Sequence, residues 1–216
     1  MIEIIPAILT DSSLKFKDLV LRIEPYSRRI HLDIADGVFV PNKTITGYDE
    51  IKYTESASKF DVHLMVQKPQ DHLKEWFYTH ADRFIIHVES QGDLSALIGE
   101  LHGNKRKVGL ALNPETPVEK IEKHLKDVDF VQFMTVHPGF QGGEFVKEVV
   151  DKIAVFHNKY PDIIIMADGG ITPETAPGLI KAGVSVLVSG SYIIKSQNVE
   201  EAIAQLRTSI SSCSDF

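Results

Sequence analysis

The chain has 216 residues, 43% of them hydrophobic and 25% charged, and a formal net charge of −7. That length suits one α/β domain with a sizeable core. The acidic balance argues against an extended nucleic-acid surface, which needs clustered cations, yet leaves room for a local site for a small phosphate.

No apolar run approaches the roughly 18 residues of a membrane span. Met1–Pro6 reads as a first strand, not a signal peptide. The single cysteine, Cys213, permits no intrachain disulfide and has no histidine nearby in sequence. A cytoplasmic protein is expected.

Eight short apolar runs follow in order: Glu3–Leu9, Arg29–Ile34, Phe60–Met65, Arg83–Val88, Lys107–Leu112, Phe130–Thr135, Ile163–Ala167 and Ser185–Ser189. Several are apolar on both faces, as strands of a buried parallel sheet are. Charged periodic segments separate them, at Ser13–Glu24, Pro69–Ala81, Pro117–Lys126, Glu144–Lys159 and Pro173–Ala182. Pro69, Pro117 and Pro173 stand where helices begin, and Gly183 where one stops. Gly92, Gly99 and Gly103 weaken the helical expectation for residues 91–106. Eight βα units of about 27 residues predict a closed (β/α)8 TIM barrel, an α/β fold in one domain spanning 1–216, with 209–216 a frayed tail. An open dinucleotide-binding sheet would carry GxGxxG after its first strand, and none is present.

In such a barrel the site lies at the C-terminal ends of the strands. In the run Ile30–Ile34, His31 and Asp33 are two apart and so share one face of a strand. Strand 3 adds His63, and strand 7 runs into Asp168. Two imidazoles and two carboxylates at one mouth suit a divalent metal ion, Zn²⁺, Fe²⁺ or Mn²⁺, with no choice among them from sequence. The late strands end in glycines: Pro138-Gly139-Phe140-Gln141-Gly142-Gly143, Gly169-Gly170 and Gly190-Ser191. Glycine lets backbone N–H groups approach an anion closely, and the loops after strands 7 and 8 form the recurring phosphate grip of this fold. A metal beside a phosphate anchor points to a phosphorylated small molecule whose carbonyl end is polarised to an enediolate.

His31-Leu32-Asp33, Asp36-Gly37-Val38-Phe39-Val40-Pro41-Asn42, Asp61-Val62-His63-Leu64-Met65, Leu112-Asn113-Pro114, Pro138–Gly142, Asp168-Gly169-Gly170 and Gly190-Ser191 closely resemble the ribulose-phosphate 3-epimerase family, in order from Pro6 to about residue 206. The resemblance implies metal-dependent interconversion of D-ribulose 5-phosphate and D-xylulose 5-phosphate, and a homo-oligomer. It implies His31, Asp33, His63 and Asp168 as metal ligands, and Asp33 and Asp168 as the acid/base pair. It further implies substrate contacts at His63, Met65, Met134, Gly139, Phe140, Gln141, Gly142, Gly169, Gly170, Gly190 and Ser191.

Four positions depart from the family's habit: Ala7 for Ser, Ala35 for Met, Met166 for Glu, and His137 for a carboxylate or Asn. They leave two alternatives open: the same chemistry on a ketohexose phosphate such as allulose 6-phosphate, and a phosphosugar-binding barrel without catalysis. His137, beside the phosphate loop, is a further candidate for substrate contact or proton transfer. A decarboxylase of the Asp-x-Lys-x-x-Asp type is disfavoured, because Asp33-Ile34-Ala35-Asp36 offers no lysine.

Overall fold

Burial of nearly every residue, with both faces covered, makes the eight apolar runs strands of a parallel sheet. A computed structural model describes residues 2–140 and 142–211. The strands are β1 (Glu3–Ile8), β2 (Arg29–Ala35), β3 (Lys59–Met65), β4 (Arg83–His87), β5 (Lys107–Leu112), β6 (Phe130–Met134), β7 (Ile165–Asp168) and β8 (Val186–Ser189). They pair in sequence order, and β8 closes on β1 through Glu3 opposite Val186. The fold is therefore the expected TIM barrel.

The connecting helices are α1 (Ser13–Ile23), α2 (Tyr48–Lys52), α3 (Leu73–Trp76), α4 (Leu94–Gly103), α5 (Glu119–Glu122), α6 (Glu148–Lys159), α7 (Ala176–Lys181), α8 (Ser191–Ile194) and α9 (Val199–Ser211). In α1, Phe16, Leu19, Val20 and Ile23 form the buried stripe, and the Ser12 hydroxyl caps the start by accepting from the Lys15 amide.

Several segments differ from the sequence expectation, among them Pro117–Lys126, of which only the four residues of α5 are helical. The glycine-bearing stretch 91–106 holds the ten-residue α4, because Asp93 accepts from the amides of Ser95 and Ala96 and Leu97, Ile98 and Leu101 bury together. Gly99 falls in its interior, at a cost of about 1 kcal/mol that a cap of similar size offsets, and Gly103 is its last residue. Pro69–Ala81 shortens to a 3-10 turn at Pro69–Asp71 and the four residues of α3. There Leu73 and Trp76 anchor the chain, and the Thr79 hydroxyl donates to the Trp76 carbonyl. Finally, α9 extends through Ser209–Ser211, three residues into the tail expected to fray. Residues 212–216, Cys213 among them, lie outside the described residues. None of the described helices is long and apolar enough to cross a membrane.

The larger core lies between barrel and helices. Inside the barrel a smaller cluster, including Ile5, Ile85, Phe130 and Met166, fills the layer beneath the mouth. A Cβ at Gly109 would stand 2.0 Å from the Phe130 ring, so only glycine admits that ring to the barrel interior. The floor below is ionic: Arg29 donates to Asp61 at 2.5 Å and to Asp82 at 2.6 Å, and Arg83 lies 3.4 Å from Glu3.

Candidate active site

The β2–β3 register sets Asp33 opposite His63 and His31 opposite Asp61. All four therefore face the barrel interior, with Asp33 and His63 one layer nearer the mouth. From β7, Asp168 sits opposite Met134 on one side and Val188 on the other. One donor atom from each of His31, Asp33, His63 and Asp168 lies within 4.8 Å of every other. His63 Nδ1 is 2.9 Å from Asp33 Oδ1 and 3.4 Å from Asp168 Oδ2. His31 Nε2 is 3.4 Å from Asp33 Oδ1 and 3.6 Å from Asp168 Oδ2. Both rings are fully buried, whereas Asp33 and Asp168 keep 8% and 6% of their surface exposed, so the carboxylates form the edge that meets the cavity.

Burial pushes the Asp33 carboxyl up, but the imidazoles of His31 and His63 beside it prevail and hold it well below the usual carboxylate range. Burial likewise pushes His63 down, and the Asp168 and Asp33 carboxylates overcome this, raising it to about 9. Neither ring nitrogen of His31 makes a hydrogen bond to any of the described residues, although both are buried. An orphaned buried polar atom costs about 1–3 kcal/mol. Its Nε2 faces two carboxylates without a hydrogen bond to either, which is the arrangement a shared cation would satisfy. The N₂O₂ set can hold a divalent metal ion.

The cavity above is lined by Met65, Met134, Gly139, Phe140, Gly142, Gly169, Gly170, Gly190 and Ser191, together with Asp33 and Asp168. Each was singled out in the sequence. His63 and His31 lie beneath the lining. Gln141 lies outside the described residues. Gly169 has φ +106°, and a Cβ there would fall 2.3 Å from Val136, so the strand-7 turn admits no side chain. Its backbone is tied from behind: Thr135 donates to the Asp168 and Gly169 carbonyls, Thr175 to that of Gly170, and Ser189 to that of Ile171.

The departures from the family's habit are dispersed. Ala7 lines the cavity, Ala35 packs against Val40 and Met65 below the loop, and Met166 sits in the barrel core. His137 turns to solvent, 2.5 Å from Glu115, and does not line the cavity. Asp36 accepts from the amides of Val38, Phe39 and Gln67 and shapes the loop after β2, so it is not available for chemistry.

Sequence reasoning passed over Gln132, whose amide donates to Asp168 Oδ2 at 3.0 Å. Gln132 is the register partner of Met166, so β6 supplies a polar group in the layer where β7 has none. A lone polar residue inside Phe130–Met134, two before Met134, was the available signal. Glu89 was also passed over, while His87, expected from its place at a strand end to face the mouth without binding metal, lies fully buried against His63.

A family model described as the ribulose-phosphate 3 epimerase family matches residues 3–194. The ribulose-phosphate 3-epimerase of Schizosaccharomyces pombe is 34% identical over 214 residues, covering 96% of this chain and 93% of its own. That of Bacillus subtilis is 34% identical over 216 residues, covering 97% and 100%. Among solved structures, a 3-hexulose-6-phosphate synthase superposes with a TM-score of 0.73 at 17% identity, covering 96% of this chain and 99% of that one. Orotidine 5'-phosphate decarboxylase from Pyrococcus horikoshii gives 0.70, also at 17% and with the same coverage. At those identities the structural likeness concerns the fold alone.

Proposed function

Because the chain belongs to the ribulose-phosphate 3-epimerase family, we propose that it inverts C3 of D-ribulose 5-phosphate to give D-xylulose 5-phosphate, and the reverse. The observation that carries the proposal is the buried His31 ring, without a hydrogen-bond partner and facing two carboxylates. His31, Asp33, His63 and Asp168 would hold one divalent metal ion. Such an ion, when bound, polarises a carbonyl and lowers the barrier to removing the neighbouring proton.

Asp33, kept ionised by its imidazole neighbours, takes the proton from C3. Asp168 returns one to the opposite face of the enediolate. The two exchange tasks in the reverse direction, which suits a freely reversible reaction. Gln132 holds Asp168 by its Oδ2, limiting the carboxylate to one orientation. Met65 and Met134 supply apolar walls that exclude water from the reacting carbons. The backbone at Gly169, Gly170, Gly190 and Ser191 receives the phosphate, where glycine leaves room for close approach. Asp36 is committed to backbone amides and no lysine follows Asp33, so a decarboxylase reading finds no support.

The test is reconstitution. Protein stripped by a chelator is expected to lose activity on D-ribulose 5-phosphate and regain it with Zn²⁺, Fe²⁺ or Mn²⁺, with allulose 6-phosphate turned over at least tenfold less well. Because the metal must displace the His63 proton, whose pKa is about 9 without it, affinity should fall about tenfold per unit as pH drops below about 9 and level off above it. Activity unaffected by chelation, pH-independent affinity, or preference for the hexose would each contradict the proposal.

A further inference from the structure

Behind His63 runs a buried chain of hydrogen bonds that the epimerase chemistry does not use. His63 Nε2 lies 2.8 Å from His87 Nε2, the two rings stacked at 20° with centroids 5.0 Å apart. His87 Nδ1 lies 3.2 Å from Glu89 Oε2. Both rings are fully buried. Glu89 is fastened in turn by the Asn113 amide at 2.9 Å and by the Thr116 hydroxyl, both donating to Oε1. Phe39 closes the other face of His87, its centroid 4.8 Å away.

Two facing imidazole nitrogens at that distance can carry only one proton between them. An ionised carboxylate can only accept. Glu89 therefore places the single N–H of a neutral His87 on Nδ1, which leaves Nε2 of His87 as an acceptor. His63 must then donate from its own Nε2, so the nitrogen that gives up its proton to a metal ion is Nδ1, which faces Asp33 and Asp168. From this geometry we infer that His87 and Glu89 are positioning residues: through two rings, Glu89 selects the tautomer of His63 that can bind metal and fixes the angle at which it does so. The inference rests on the metal site proposed above. Outer partners of this kind orient ligating histidines, and their loss lowers metal affinity by about 10–100-fold.

The test titrates Co²⁺ into metal-free protein and follows its visible absorption, with a competing chelator. Glu89→Gln keeps the acceptor for Asn113 and Thr116 but no longer dictates the tautomer. It should weaken Co²⁺ binding about 10–100-fold, and ¹⁵N spectra of the Zn²⁺-loaded protein should show the His63 ring losing its single tautomer. His87→Phe should weaken binding similarly, and His87→Gln, whose amide oxygen can accept from His63, should recover part of it. If Glu89 merely ties down the loop after β5, Glu89→Gln lowers Tm while affinity and His63 resonances stay at wild-type values; that outcome overturns the inference. Wild-type protein that takes up no Co²⁺ at this site overturns the metal centre itself, and the inference with it.

Discussion

Asp168→Asn is expected to lower kcat by at least about 10³-fold, because it removes a group that transfers a proton in the reaction and also donates an anionic oxygen to the cation. The substitution conserves volume, and the asparagine carbonyl still accepts from Gln132, so Tm should stay within a few degrees of wild type. KM should change little, since the phosphate end binds elsewhere. Asp33→Asn should be as damaging. It also removes the carboxylate nearest His63, 2.9 Å away, and so weakens the metal as well as the base. The two effects separate when kcat is measured at saturating cation. A variant of either residue with near-wild-type turnover under those conditions would take that residue out of the acid/base pair.

Arg29→Met is expected to produce the largest loss of stability. Asp61 is wholly buried on the barrel floor and takes its closest charge-assisted bond from Arg29 at 2.5 Å, with Arg83 farther off at 3.7 Å. Removing one partner of a buried pair costs about 3–5 kcal/mol, since the other charge is left uncompensated. For a chain of this length that corresponds to a fall in Tm of roughly 6–20 °C.

Burial already pushes the Asp61 carboxyl up, against the opposing pull of Arg29, His31 and Arg83. A carboxyl raised in the folded state binds its proton more readily there than in the unfolded chain. The penalty in Arg29→Met should therefore shrink as pH falls and Asp61 neutralises. Arg29→Met combined with Asp61→Asn should recover part of the loss, as measured by chemical denaturation. Equal stabilities for the single and double variants would mean that the floor network contributes nothing.

The barrel and the metal-type cluster were legible in the sequence because His31 and Asp33 interrupt one apolar strand two residues apart, His63 interrupts the next, and Asp168 ends the seventh. His31, Asp33, His63 and Asp168 need no partner strand to announce which way they face. Gln132, His87 and Glu89 were harder to read. Their roles depend on register across β3 to β7, which places Gln132 beside Asp168 and brings His87 up to His63. Helix lengths were misread where tertiary anchors override local pattern, as in the stretch around Trp76, and where a cap outweighs glycine, as in α4. His137 looked like part of the mouth, but the backbone turns it outward to Glu115.

The most direct measurement is the fate of hydrogen at C3 in heavy water. Metal-loaded protein turning over D-ribulose 5-phosphate in D₂O should yield D-xylulose 5-phosphate carrying solvent deuterium at C3, whereas Asp168→Asn should form almost no D-xylulose 5-phosphate, with deuterium entering only D-ribulose 5-phosphate, by way of Asp33. Epimerised product that retains its original hydrogen, or substrate bound without either epimerisation or exchange, would contradict proton transfer between two carboxylates.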